Sequence, residues 1–315
     1  MFKKWIAVLG VSATMVAAAA QIEWKTDLRE AAAIAAQDNK LLLVEFTGSD
    51  WCKACILQKK NVLNTAHFAD WVQKNYVPVE IDVPMDAARV GGAAQLEKNK
   101  QVCDDFGVHI FPSLVVMTPE LVLMDVCSGA QPSPECAITE LKRCAPVVSA
   151  YKKAMSQQGE ARAEALYAIY MQQPEVIRKA NYPLLRLIAE SDARNVTGVQ
   201  DVYQPLRQIR TLDKKLAEAE SVEQKLEIMD AALANAFPAN ERKILSRKEM
   251  LLRREAMMLM KSPASVAEVE RSRDYMLQVA DCLEDPAERE KLRRDVEAYY
   301  ADPQALFSRH TQGNR

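Results

Sequence analysis

The sequence predicts an α/β domain with a mixed central sheet flanked by helices, followed by an all-α C-terminal helical domain. Three observations predict it. Up to about residue 150, apolar runs of strand length alternate with segments of helical periodicity. Beyond that point the chain is charged, strand-like runs are scarce, and three of the nine glycines remain. Prolines at 174, 183, 205, 238, 263, 286 and 303 divide this second half into helix-length stretches. The 315 residues suit two domains of roughly 150 residues each, expected at 21–150 and 151–315.

Asp27 to Asn39 carries Leu28, Ala32, Ile34 and Ala35 at helical spacing, with Asp27 as the cap. Leu41 to Phe46 is apolar apart from Glu45 and reads as a buried central strand. Thr47, Gly48, Ser49 and Asp50 form a turn, and a helix follows from about Cys52 to Leu63. Val77 to Val83 is a second strand, and Gln95 to Phe106 a helix stopped by Gly107. Ser113 to Thr118 and Leu121 to Ser128 form a hairpin through Pro119-Glu120 that ends at Gly129. Pro134 opens a helix that continues past Lys142.

From about Tyr151 the pattern predicts five to seven helices in antiparallel hairpins. Ser221 with Gln224, and Ser265 with Glu268, fit capping boxes. Val222, Leu226, Met229, Leu233 and Ala236 mark one apolar face, and Leu252, Ala256, Leu259 and Met260 another. Met250, Met257, Met258 and Met260 could form an adaptable binding surface, but such a cluster is more often core and is expected there.

Hydrophobic residues are 49% and charged residues 27%, which excludes disorder for most of the length. Lys plus Arg is 41 and Asp plus Glu 43, which argues against a nucleic-acid binder working through a strong basic field. At the amino end, Lys3 and Lys4 precede an uncharged run from Trp5 to Ala20 that closes in Ala17, Ala18, Ala19 and Ala20. This reads as a signal peptide over residues 1–20 with cleavage before Gln21. The alternative, an uncleaved anchor, meets a run of 16 residues, shorter than the roughly 20 that span a bilayer. The expected location is an exported one, periplasmic or secreted, where disulfides persist.

The chemistry concentrates at Trp51-Cys52-Lys53-Ala54-Cys55. Two thiols three apart close a small disulfide when the first begins a helix. Unpaired backbone amides there favour a thiolate on Cys52 and lower its pKa, with Lys53 adding positive charge. Cys52 is then the nucleophile, and Cys55, one turn deeper, resolves the mixed disulfide. A lone C-x-x-C is also compatible with zinc, soft-metal carriage or a purely structural disulfide. Structural zinc needs four ligands, and no second C-x-x-C or H-x-x-x-H is present. No cofactor is implied.

Val44-Glu45-Phe46, Trp51-Cys52-Lys53-Ala54-Cys55 and Phe111-Pro112-Ser113 together resemble thioredoxin-fold proteins. The string from Phe46 to Cys52 is most similar to exported bacterial thioredoxin-like proteins, akin to the C-terminal domain of the transmembrane thiol-disulfide interchange protein. The resemblance covers roughly residues 40–130. It implies that Pro112 is the cis-proline facing the dithiol, that the backbone of Phe111 pairs with an incoming peptide, and that the Trp51 ring shields the thiols. It also implies partners: client proteins with thiols or disulfides, and a thiol–disulfide electron-exchange partner.

Glu45, in an apolar strand, is a candidate buried carboxylate. Desolvation would raise its pKa and let it take a proton from Cys55 through water. Two departures from the family accompany it. The segment from Glu45 to Cys52 is one residue longer, and the lysine that often partners this acid falls near Pro78 and is missing. His109 reads as a surface-loop residue and His67 as a helix-end or packing residue.

Cys103, Cys127, Cys136, Cys144 and Cys282 remain. Cys136 and Cys144, eight apart on one helix, are about 12 Å apart and out of disulfide reach. Cys127 and Cys136 flank one loop and could close it, and Cys103 reads as a small buried hydrophobe. The expected activity is thiol–disulfide oxidoreduction, with the helical region offering a partner surface or homodimer contact. The rival is a non-enzymatic assembly or docking module, which a missing cysteine or proline at the site would mark.

Overall fold

The computed structural model describes residues 22–312. The expected signal segment and Gln21 lie outside the described residues. The chain divides into two compact units, one ending at Val199 and one beginning at Gln200.

In the first unit, helix α1 (Leu28–Asp38) starts on Asp27, whose carboxylate accepts from the Arg29 and Glu30 amides, and ends on Asn39 with φ 52°. Strand β1 (Leu41–Thr47) is buried from Leu42 to Thr47. Helix α2 (Lys53–Gln58) continues through a wider π-type turn to Leu63. Helix α3 (Ala66–Asn75), capped by Thr65, precedes strand β2 (Tyr76–Asp82). Sequence patterning missed α3 as a separate helix; its apolar side is only Phe68, Ala69 and Val72. Helix α4 (Ala93–Asp105), strand β3 (Ser113–Met117) and strand β4 (Leu123–Ser128) follow, then helix α5 (Pro134–Lys142).

The sheet order is β2-β1-β3-β4, parallel between β1 and β2 and antiparallel elsewhere. Central β1 pairs on both edges, which explains its near-continuous apolar run. Leu42, Val44, Phe46, Val79, Ile81, Val115 and Met117 build the core on one face against α1 and α4. At the outer edge of β2, Lys25 N–H donates to Pro78 O (3.0 Å) and Lys25 O accepts from Glu80 N–H (2.8 Å), laying residues 22–25 along the sheet.

Helices α6 (Ala145–Met155), α7 (Gly159–Gln172), α8 (Glu175–Ala180) and α9 (Tyr182–Ser191) also belong to the first unit. The division therefore falls later than the boundary expected at 150. Buried side-chain amides hold these helices to the hairpin. Asn181 accepts from Leu123 N–H (3.1 Å) and donates to Leu123 O (3.0 Å), and Gln173 donates to the same carbonyl (2.8 Å).

The second unit holds α10 (Gln200–Glu218), α11 (Val222–Leu233), α12 (Pro238–Lys261), α13 (Val266–Asp281), α14 (Pro286–Tyr299) and α15 (Pro303–Gln312). With α7 to α9, that exceeds the five to seven helices expected. Both serines cap as expected, Gln224 N–H donating to Ser221 Oγ (3.1 Å) and Glu268 N–H to Ser265 Oγ (3.3 Å), while the Gln224 and Glu268 side chains reach back one residue further, accepting from Glu220 N–H (2.8 Å) and Ala264 N–H (2.7 Å). Leu226, Leu252, Ala256, Tyr275 and Val279 are buried together. The methionine expectation is overturned for three residues: Met250, Met257 and Met258 are exposed, while Met260 packs beside Val269 and Val296. They lie on the side of α12 opposite Leu252 and Ala256, and one helix buries one stripe.

Candidate active site

Strand β1 delivers the chain to a short loop, Gly48–Trp51, and Cys52 caps α2. Cys52 and Cys55 are joined by a disulfide with S–S 2.08 Å and Cα–Cα 5.2 Å. The Cys52 Sγ accepts from the Cys55 N–H at 3.2 Å. Cys52 is 7% exposed and Cys55 1%, so the first sulfur is the outer one.

The loop is fixed from β2 and the segment after it. The Asp82 carboxylate accepts from Ser49 N–H (2.9 Å) and Ser49 Oγ–H (2.6 Å). Asp50 accepts from the Met85 and Asp86 amides (2.9 and 3.0 Å); these two backbone bonds, that from Asp86 first, hold its carboxyl below the usual range. The Trp51 indole N–H donates to Val83 O at 2.7 Å, and its ring meets Phe111 edge-on, centroids 5.8 Å apart. That ring crosses Gly48 so closely that a Cβ there would sit 2.4 Å from it.

Phe111–Pro112 is a cis bond. Pro112 is buried at the head of β3, and its carbonyl accepts from Gly129 N–H at 2.8 Å. The Trp51–Phe111 contact thus brings the proline loop against the dithiol loop. His109 is exposed on the segment before it, and His67 is exposed near the start of α3.

Beneath the dithiol, Glu45 is completely buried. Its Oε2 accepts from Lys59 Nζ at 2.6 Å, while Oε1 has no hydrogen-bond partner. Lys59 also donates to Glu80, and its ammonium lies 4.1 Å from the centroid of the Trp24 ring. Burial pushes the Glu45 carboxyl up to about 7, against the opposing charge of Lys59. The lysine missing near Pro78 is therefore replaced by one from the active-site helix. Sequence reasoning missed Lys59, although it follows Cys55 by four residues, one helical turn along the same face, and that spacing was the one signal that could have found it. Glu80 and Trp24 carried no such signal, because their positions depend on the β1–β2 register and on the pairing of residues 22–25.

The other five cysteines are free thiols. Cys103 is in the core and Cys144 is buried; burial pushes them up to about 12 and about 11. The loop that a Cys127–Cys136 bond could close is held by Gln131, which donates from N–H to Gln58 Oε1 (2.7 Å) and from its amide to Cys127 Sγ (3.4 Å). Among the described residues, no group of three or more His, Cys, Asp or Glu is placed to hold a metal.

Residues 28–140 match the family model described as a thioredoxin-like domain. The disulfide bond reductase DsbH of Chlamydia pneumoniae is 32% identical over 103 residues, which are 33% of this chain and 60% of that protein. The thioredoxin-related protein DsbJ of the same organism is 29% identical over 99 residues, 31% of this chain and 28% of that one. The chain thus covers less than two thirds of either curated relative. A solved structure titled DsbH Oxidoreductase is 25% identical, covering 44% of this chain and 94% of that one at a TM-score of 0.37. The mixed sheet, the C-x-x-C pair and the family match make residues 28–140 a thioredoxin-like domain, followed by a mostly helical region.

Proposed function

From a thioredoxin-like domain with a closed Cys52–Cys55 pair, we propose that this protein is an exported thiol–disulfide oxidoreductase that reduces or exchanges disulfides in client proteins. The observation that carries the reading is the asymmetry of the pair: an outer sulfur capping a helix and a fully buried one behind it. Hydrogen bonding from the Cys55 N–H favours a thiolate on Cys52 once the pair is reduced.

In the reducing direction, Cys52 attacks a client disulfide and expels one client thiolate. Cys55 loses its proton and attacks the Cys52 sulfur of the mixed disulfide. The second client thiolate leaves, and the Cys52–Cys55 disulfide forms. The client gains two electrons and two protons, and a dithiol partner restores the enzyme by the reverse exchange. Glu45, held near neutral pH by burial, belongs to the cluster that receives the Cys55 proton. Pro112, Phe111 and Trp51 shape the surface on which the client chain lies. The name of DsbH supports the reductive direction. Export rests on the Lys3-Lys4 and Trp5–Ala20 pattern. Among the described residues, no helix is long and apolar enough to cross a membrane.

An insulin disulfide-reduction assay with a small dithiol donor tests this. The wild-type chain should accelerate precipitation and Cys52→Ala should not; equal rates reject the mechanism. Cys55→Ala should accumulate mixed disulfides with clients on non-reducing gels.

A further inference from the structure

The buried acid is not the carboxylate that shares open space with Cys55. A cavity of about 440 Å³ beneath α2 is lined by Cys55, Thr47, Ser49, Lys59, Lys60 and Glu80. Glu45 is not among its lining residues. It sits behind Lys59, wholly enclosed, with one oxygen on the ammonium and the other unpaired. The space opens to solvent, and Ser49, Lys59, Lys60 and Glu80 on its wall offer polar partners to a water entering it. Its lining sets the otherwise buried Cys55 and the Glu80 carboxylate, which is 27% exposed, on one shared space.

The register explains how two acids come together. Glu45 and Glu80 are direct partners across the parallel β1–β2 pair and emerge on the same face. Like charges in that position repel, and Lys59 spans them, donating to both. Trp24 covers the ammonium from the side of residues 22–25. Asp82, two residues along β2, adds negative charge but is engaged by Ser49, and Lys60 borders the cavity from α2's extension. Lys59 is thus shared by the two carboxylates, and of the two only Glu80 borders the space that Cys55 borders.

We infer that Glu80 takes the Cys55 proton through the cavity water, and that Glu45 acts by positioning Lys59. As Cys55 attacks, its S–H proton passes to the Glu80 carboxylate. The Cys55–Cys52 bond forms, the Cys52–client bond breaks, and the client thiolate draws a proton from bulk water. Glu80 then releases its proton to solvent across its exposed side. When a donor reopens the disulfide, Glu80 takes up a proton from solvent and passes it to the departing Cys55 thiolate.

This rests on the oxidoreductase reading, and the test separates the two. The reduced full-length chain is mixed with excess oxidised glutathione, and tryptophan emission, to which Trp51 beside the dithiol contributes, is followed by stopped flow. The concentration-dependent phase reports Cys52 attack, and the concentration-independent phase reports resolution by Cys55. Glu80→Gln should slow the second phase by roughly ten- to a hundredfold near pH 7 and change its pH profile, with the first phase unchanged. Glu80→Asp should recover part of the rate and the wild-type profile shape, which a merely structural role would not produce. A second phase in Glu80→Gln that overlays wild type, with Glu45→Gln abolishing it, overturns the inference and returns the proton to Glu45. A wild-type chain with no first phase instead defeats the oxidoreductase reading itself.

Discussion

Replacing Glu45 by Gln isolates the energetic consequence of burying an acid beneath a reactive pair. Burial moves this carboxyl from an ordinary 4.5 to about 7. Between those pH values the folded chain binds more protons at this position than the unfolded chain, so stability falls as pH rises. The contribution is complete below about 4.5 and is lost as pH passes through about 7. At about 1.4 kcal/mol per pH unit, the loss across that window is on the order of 3 kcal/mol. Other groups titrate over the same range, so the informative quantity is the difference between wild type and Glu45→Gln at each pH. Gln keeps an acceptor for Lys59 and cannot ionise. Guanidinium unfolding of the oxidised chain, followed by tryptophan emission, is a suitable assay. All four tryptophans (5, 24, 51 and 71) precede residue 72, so the signal reports the first unit alone. The difference should shift by about 3 kcal/mol in favour of Glu45→Gln from pH 4.5 to pH 8. A difference that stays flat would mean that Glu45 titrates as an ordinary surface acid, refuting the burial argument.

Two further outcomes follow from the same geometry. Gly48→Ala places a methyl group inside the Trp51 ring, so the indole must swing away from Val83 and Phe111; a loss of about 1–3 kcal/mol, altered tryptophan emission and slower insulin reduction are expected, and unchanged emission and unfolding midpoint would contradict the contact. In the native oxidised chain, iodoacetamide should modify exposed Cys136 at least about a hundredfold faster than buried Cys103 and Cys144, which wait on local opening; peptide mass mapping that finds equal rates would show that those thiols are not enclosed.

Local chemistry was legible in the sequence. Leu41 to Phe46 announced a strand buried on both edges, the turn from Thr47 to Asp50 delivered the dithiol, and the hairpin broke at Pro119-Glu120. The boundary between units was not legible, because it depends on Gln173 and Asn181 reaching the Leu123 backbone across about fifty residues of chain. The acidic cluster was half legible. Glu45 stood out as a charge in an apolar run, but Glu80 looked like any strand carboxylate until the β1–β2 register set it opposite. Lys59 was hidden in a helix where lysine is commonplace. The exposed methionines show a different limit: composition marks a helix as apolar without saying how wide a stripe its neighbours will cover.

Lys25 trades backbone bonds with both Pro78 and Glu80, so the few residues from Ile22 onward work as a splint on the outermost strand. Through Trp24 that splint is also a lid on the ammonium. A protease that nicks the chain just beyond Trp24 would leave the dithiol intact yet strip the lysine of its aromatic cover. Affinity handles for purification are accordingly safer at the carboxyl end, where they cannot pry this strap loose.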